Sequence, residues 1–403
     1  MLSRRRRVLL VVAAGELLVM SLWFSASAAA PELAAEWGLT ATETAWLTIA
    51  VQLGFVVGAL LSAILTLSDV VRPRYLIAAS AVGGAACTAL IAGVVTSAVP
   101  AIVLRFLTGV ALAGVYPPGM KLLAGWFREG RGFAIGTMVG ALTVGSALPH
   151  LLRSLGGVGE PRVVLYGAAA LATVGGLLVL LVEPGPYQAP AAPFDPGAIG
   201  RILRDRETML ANGGYFGHMW ELYAVWTWIP AYLVASLAAG GGSSESASLA
   251  SLLAFGTIGV GGLGAVLAGS AADRLGRTSV TSASMVVSGV ACLGAGLVFG
   301  SSLVLLVPFV LVWGVAIVAD SAQFSAAVSE LAEESYVGTA LTLQTAIGFL
   351  LTTVSIQLVP VLVGVVGWRW AFAPLALGPL VGTLSMLRLR GSAAASKLAG
   401  GRR

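Results

Sequence analysis

The chain has 403 residues, of which 58% are hydrophobic and only 10% charged, with a mean hydropathy of +0.93. A water-soluble chain carries about a quarter charged residues, so this composition excludes a fully solvated surface and predicts a bilayer protein. The net charge of +5 is not a nucleic-acid signal, because the basic residues fall mainly in short loops on one side, where they set orientation.

Apolar runs of about 20 residues predict twelve spans, near 8–29, 45–67, 75–97, 100–123, 132–152, 163–183, 209–235, 247–271, 279–300, 302–328, 338–362 and 368–387. The first follows Arg4–Arg7 and ends in small residues near Ser25–Ala30, the outline of a cleaved leader. Its apolar stretch is nonetheless long enough to span and carries Glu16 in its middle, which predicts an uncleaved first helix. In the fourth span Tyr116-Pro117-Pro118 predicts an interruption, tolerable only where protein or water covers the freed carbonyl. Cys87 and Cys292 lie in the third and ninth spans, read as small buried hydrophobes with no disulfide framework and no metal-ligand spacing.

Between the sixth and seventh spans the chain turns proline-rich (Pro184, Pro186, Pro190, Pro193, Pro196), then charged (Arg201, Arg204, Asp205, Arg206, Glu207). This predicts a linker at 184–208 between an N-terminal six-helix bundle (1–183) and a C-terminal one (209–403). The fold class is therefore an all-α membrane protein with twelve transmembrane helices in two pseudo-symmetric bundles. Gly58 and Gly264 both sit in Gly-Ala-x-Leu, and Gly132 and Gly338 both open Gly-x-Ala. Each pair is offset by 206 residues (264 − 58 and 338 − 132), which points to duplication.

Basic residues set the orientation. Arg4–Arg7, Arg72, Arg74, Arg128, Arg131, Arg201, Arg204, Arg206, Arg274, Arg277 and the tail collect on one side, against Arg153, Arg162 and Arg369 on the other. The arginine-rich side is assigned to the cytoplasm, with both termini there, in a multi-pass plasma (inner) membrane protein. The acidic loop containing Glu330, Glu333 and Glu334 dissents, but acidic residues weigh little in this rule.

Five ionisable residues interrupt the apolar runs: Glu16, Arg105, Lys121, Glu221 and Asp320. A charge at mid-bilayer costs roughly 2.5–3.5 kcal/mol on insertion scales, so it faces a wet pathway or a partner. Glu16 lies about 13 Å deep at the helical rise, and Glu221 is similarly central. These two carboxylates are the leading proton-site candidates. His218 stands one turn before Glu221 on the same face. Arg105 is placed to neutralise one of the carboxylates or to hold an anionic substrate. Lys121 is near enough to a span end to snorkel. Asp320 and Gln323 share a face. Trp220 and Tyr223 lie too deep for an interfacial belt and read either as a stacking wall for substrate or as helix packing; Trp23 of the first span is grouped with them as a cavity aromatic. His150 reads as interfacial. The buried charges themselves also have a second reading, as structural ion pairs that lock helices.

Gly269-Ser-Ala-Ala-Asp273-Arg274-Leu-Gly276-Arg277, after the eighth span, resembles the Gly-x-x-x-Asp-Arg-x-Gly-Arg signature of the major facilitator superfamily. Ser68-Asp69-Val-Val-Arg72-Pro-Arg74, after the second span, lacks the glycines. Arg105-Phe-Leu-Thr-Gly109 is similar to the family's Arg-x-x-x-Gly element, and Trp126-Phe-Arg-Glu-Gly-Arg131 with its glycine-rich helix is similar to anion and organic-acid members. The resemblance implies alternating access, a cavity lined by the first, fourth, seventh and tenth helices, a role for Arg105 in proton coupling, and a cytoplasmic latch at Gly269, Asp273, Arg274, Gly276 and Arg277. The five buried charges fall on those four spans.

The expected function is secondary transport of a small solute, proton-coupled, with an organic or inorganic anion as the first substrate class. Efflux of multidrug or lipophilic-cation type by proton antiport is the alternative. Nitrate-type members of the family carry substrate arginines in the second and eighth helices and sugar-phosphate types in the first and seventh, and this chain matches neither. The expected partners are the solute, protons and lipid, with no nucleic acid, no cofactor and no metal, in a functional monomer. Neither His-Glu-x-x-His nor Gly-x-Ser-x-Gly occurs in the spans, so an intramembrane enzyme is not expected.

Overall fold

Hydrocarbon offers no hydrogen-bond partner to a backbone, so an apolar chain of this kind satisfies its peptide groups within helices. The computed structural model describes residues 4–65, 67–127, 131–187, 195–241, 246–333 and 336–402, and every long element among them is helical. Pro190 and Pro193 of the linker, Arg128 and Glu129 of the string after Trp126, and Glu334 lie outside the described residues, as does the side chain of Asp69.

The long helices are α1 (Arg4–Met20), α2 (Ala41–Ile64), α3 (Pro73–Val94), α4 (Ala98–Leu112), α5 (Tyr116–Ala124), α6 (Arg131–Leu152), α7 (Pro161–Val179), α8 (Arg206–Ala239), α9 (Ser246–Leu275), α10 (Arg277–Val298), α11 (Leu303–Ala319), α12 (Ser321–Leu331), α13 (Val337–Trp370) and α14 (Leu377–Arg390). Counting α4–α5 and α11–α12 each as one span, ten among the described residues are long and apolar enough to cross a bilayer. The first and last segments complete the twelve: α1, with 17 residues, and α14, with 14, are the two shorter ones.

Among the described residues, the first, fourth and tenth spans are broken rather than continuous. The α4–α5 break precedes Pro117, as the sequence predicts. The other two breaks are not legible in the sequence. The first span stops at Met20, turns through Ser21–Phe24 and resumes as Ser25–Ala28. Ser21 Oγ donates to the Leu18 carbonyl at 2.7 Å and to Ala168 at 3.1 Å, which helps anchor this turn. The tenth span breaks at Asp320, the residue between α11 and α12.

Ends are set by local chemistry. Thr40 and Glu43 form a reciprocal capping box at the start of α2, and Asp205 accepts from the Thr208 amide at the start of α8. Within the linker stretch, Pro196–Ala198 forms a tight turn and Ile199–Arg204 a short helix.

Chain contacts divide the molecule into two compact units: Met1–Ala191 with Gly242–Gly259, and Ala192–Gly241 with Val260–Arg403. In the first, α1 packs on α6 and α7, α2 on α4, and α3 on α4 and α7. In the second, α8 is surrounded by α12, α13 and α14, and α10 packs on α11 and α14. The offset repeat has a physical basis. A Cβ added to Gly58 would lie 2.7 Å from the Val110 carbonyl, and one on Gly264 would lie 2.5 Å from Val315. The second span thus meets the fourth in one half as the eighth meets the tenth in the other, through a bare backbone in each case.

Candidate functional site

In the first unit, Glu16 is 3% exposed and its Oε1 is buried with no hydrogen-bond partner. The Tyr116 phenol lies within electrostatic reach of it, and its Oε2 is 3.6 Å from the point where a Cβ on Gly119 would sit. The broken fourth span therefore brings Tyr116 and Gly119 against this carboxylate.

Arg105 does not serve as the counter-charge the sequence suggests. Its Nε donates to the Leu47 carbonyl at 3.0 Å, its Nη1 to the Leu22 carbonyl at 2.8 Å and to Ser25 Oγ at 3.2 Å, and its Nη2 to the Trp23 carbonyl. No carboxylate is among these partners. Two of those carbonyls, Leu22 and Trp23, lie where the first span breaks, so the guanidinium is a cation set where the broken end of α1 exposes negative dipole. Trp23 lies in that break, 3% exposed, with its ring 5.2 Å from Phe55.

In the second unit, three of the expected residues come together. His218 Nδ1 is 2.8 Å from Asp320 Oδ1, and each side chain is 2% exposed. Glu221, on the same helix and also buried, is held by three uncharged donors: Ser288 Oγ at 2.9 Å, Cys292 Sγ at 3.2 Å and Trp313 Nε1 at 2.9 Å. Asp320 acts electrostatically on Glu221. Asp320 is the residue between α11 and α12. The His218 ring is also packed against Phe324 and Tyr215, with centroids at 5.6 and 6.2 Å. Among the described residues no group of three or more His, Cys, Asp or Glu side chains is disposed to hold a metal ion.

The aromatic residues of α8 divide by face. The Tyr223 ring packs at a tilt against Phe349 of α13, with centroids 5.1 Å apart, and against Trp226 at 5.7 Å. Trp220 packs on α14 instead: a Cβ on Gly378 would lie 2.8 Å from its Cδ1.

The glycine-arginine string closes differently from the expected cluster. Asp273 and Arg274 are exposed. Arg277 forms a fork with Glu330, Nε to Oε2 at 2.8 Å and Nη2 to Oε1 at 2.5 Å, while its Nη1 donates to Gln323 Oε1 at 2.8 Å. Gly276 has φ +90°, which a side chain rarely tolerates, so glycine is required between α9 and α10. Gly269 is 3.9 Å from Gln323 Nε2, measured from an added Cβ.

Several of these partners escape sequence reading. Cys292, read as a small hydrophobe, is a donor to Glu221. Its spacing of four from Ser288 puts both on one face of α10, but nothing in the sequence says which carboxylate they meet. His150 is buried within the protein, and neither of its ring nitrogens has a hydrogen-bond partner. One turn on, Arg153 pairs with Glu32 at 2.6 Å and donates to Ser251 Oγ at 2.7 Å.

A chain of twelve membrane segments, with its second and eighth spans packed alike and buried acids on its first, seventh and tenth, can be set against known proteins. The model of the Major Facilitator Superfamily matches residues 12–261. The chain belongs to the major facilitator superfamily. Its long apolar helices fit a multi-pass membrane protein of that family. The MFS-type transporter pytF of Aspergillus terreus (strain NIH 2624 / FGSC A1156) is 28% identical over 176 residues, 42% of this chain. That match spans 56% of the relative's own length. Among solved structures, a mutant of the nucleoside transporter NupG superposes with a TM-score of 0.73 over 95% of this chain and 99% of its own. At 16% identity, this superfamily member shares its fold with that protein.

Proposed function

We propose that this chain is a proton-coupled secondary transporter working by alternating access, with Glu16 as a proton carrier in the first half and Glu221, His218 and Asp320 as a linked group in the second. The observation that carries the reading is Glu16 itself: a carboxylate 3% exposed, with one oxygen unpartnered. A carboxylate in such a place is costly to keep as a bare anion. A proton gained and lost during the cycle supplies the missing partner. The His218–Asp320 contact adds a buried ionisable pair in the other half.

On the substrate, the engagement of Arg105 counts against the anion class. Its nitrogens are committed to three backbone carbonyls and a serine, which leaves no deep guanidinium fork for an anion in the fourth span. Buried carboxylates and the Tyr223–Trp226–Phe349 aromatic group favour a neutral or cationic, partly apolar solute. We place both termini in the cytoplasm of a plasma (inner) membrane protein, on the arginine bias of its loops, and take the monomer as the working unit.

The test is flux into or out of proteoliposomes, with and without an imposed pH gradient, across organic acids, nucleosides and lipophilic cations. Movement of a cation or neutral solute against its gradient, driven by the pH difference, supports the reading. Movement indifferent to the pH gradient for every solute carried overturns it.

A further inference from the structure

The chain does not simply trail away after α14. Ala393–Gly401 curls back onto the second unit, where Ala395 and Leu398 are fully buried. Ala399 takes φ +47°, the left-handed region that non-glycine residues avoid, and Gly400 and Gly401 follow at +67° and +92°. A conformation of that kind persists where its surroundings fix it. Here the Ala399 amide donates to Glu330 Oε2 at 3.0 Å, the same oxygen that accepts from Arg277 Nε. The Arg402 guanidinium then donates to the Asp273 carbonyl in the last turn of α9, a cation at the negative end of a helix.

We infer that the C-terminal tail is a strap over the Arg277–Glu330 fork, tying the adjoining ends of α9, α10 and α12 together and slowing any change of state that separates them. The strap bears on both landmark positions of the signature loop, Asp273 through its carbonyl and Arg277 through its partner. Glu330 accepts from the fork and the tail at once, so release of one weakens the hold of the other. The proposal stands whatever solute or ion is carried.

The experiment is hydrogen exchange, read by mass spectrometry on the full chain in detergent or proteoliposomes. Three variants are compared with the native chain: one ending at Gly391, Ala399→Pro and Ala399→Gly. Proline removes the donor and cannot adopt the left-handed φ, whereas glycine keeps the donor and relieves the strain. We expect amides of 273–277 and 326–331 to exchange faster, by up to about tenfold for the loss of one such bond, in the shortened chain and in Ala399→Pro. In Ala399→Gly they should exchange at the native rate or slower. Ala399→Pro leaves the rest of the sequence intact, so the comparison survives a shortened chain that fails to fold. Native exchange rates in these segments in Ala399→Pro would overturn the strap.

Discussion

His218 and Asp320 face each other at 2.8 Å although they lie on different spans, and each is 2% exposed. Asp320 is the residue between α11 and α12 in the tenth span, and His218 lies on α8. Residues in such contact couple by about 0.5–3 kcal/mol. We predict that His218→Ala and Asp320→Ala each lower the unfolding midpoint in detergent, and that the double variant costs less than the sum of the singles. Strict additivity would mean that the contact contributes nothing.

Arg105 should be intolerant even of lysine. Its planar fork serves Leu47, Leu22, Trp23 and Ser25 together, and a single ammonium on a flexible stem cannot reproduce that spread. Leaving buried carbonyls unserved costs about 1–3 kcal/mol each. Arg105→Lys is therefore predicted to lower thermal stability markedly, with Ser25→Ala a far smaller loss. A native melting temperature for Arg105→Lys would show that water or another donor serves the break.

The bare-backbone contacts predict a graded glycine series. An alanine at Gly109 would overlap the Val51 carbonyl, and one at Gly264 would press on Val315. Gly83, by contrast, has nothing within 4 Å of an added Cβ. Overpacking of this kind costs typically about 1–3 kcal/mol. Gly109→Ala and Gly264→Ala should reduce folded yield in the membrane, while Gly83→Ala should be neutral or slightly stabilising through helix propensity. Equal yields for all three would contradict the close approach.

Much of the fold is legible in the sequence because hydrocarbon enforces it. Runs of the right length must be helices, and the offset of 206 places Gly58 and Gly264 in equivalent contacts. The Pro117 interruption is legible for the same reason, since proline advertises its own effect on the backbone. The breaks at Ser21–Phe24 and at Asp320 carry no such marker. At the first, Arg105 donates to the Leu22 and Trp23 carbonyls, and at the second His218 meets the Asp320 side chain. The charged residues were locatable by their cost in lipid, yet their partners were not. The donors to Glu221 are a serine, a cysteine and a tryptophan, residue types that sequence alone assigns to packing. Likewise Arg277 turns to Glu330, 53 positions away, rather than to Asp273 within its own motif.

The central claim is that buried carboxylates carry the coupling proton. It is tested most directly by pH-gradient-driven flux in proteoliposomes containing either the native chain or the Glu16→Gln/Glu221→Gln double variant, for whichever panel solute the native protein moves. The account predicts that the variant loses movement driven by the pH gradient while retaining solute exchange down a concentration gradient. Gradient-driven accumulation by the double variant at the native rate would contradict it.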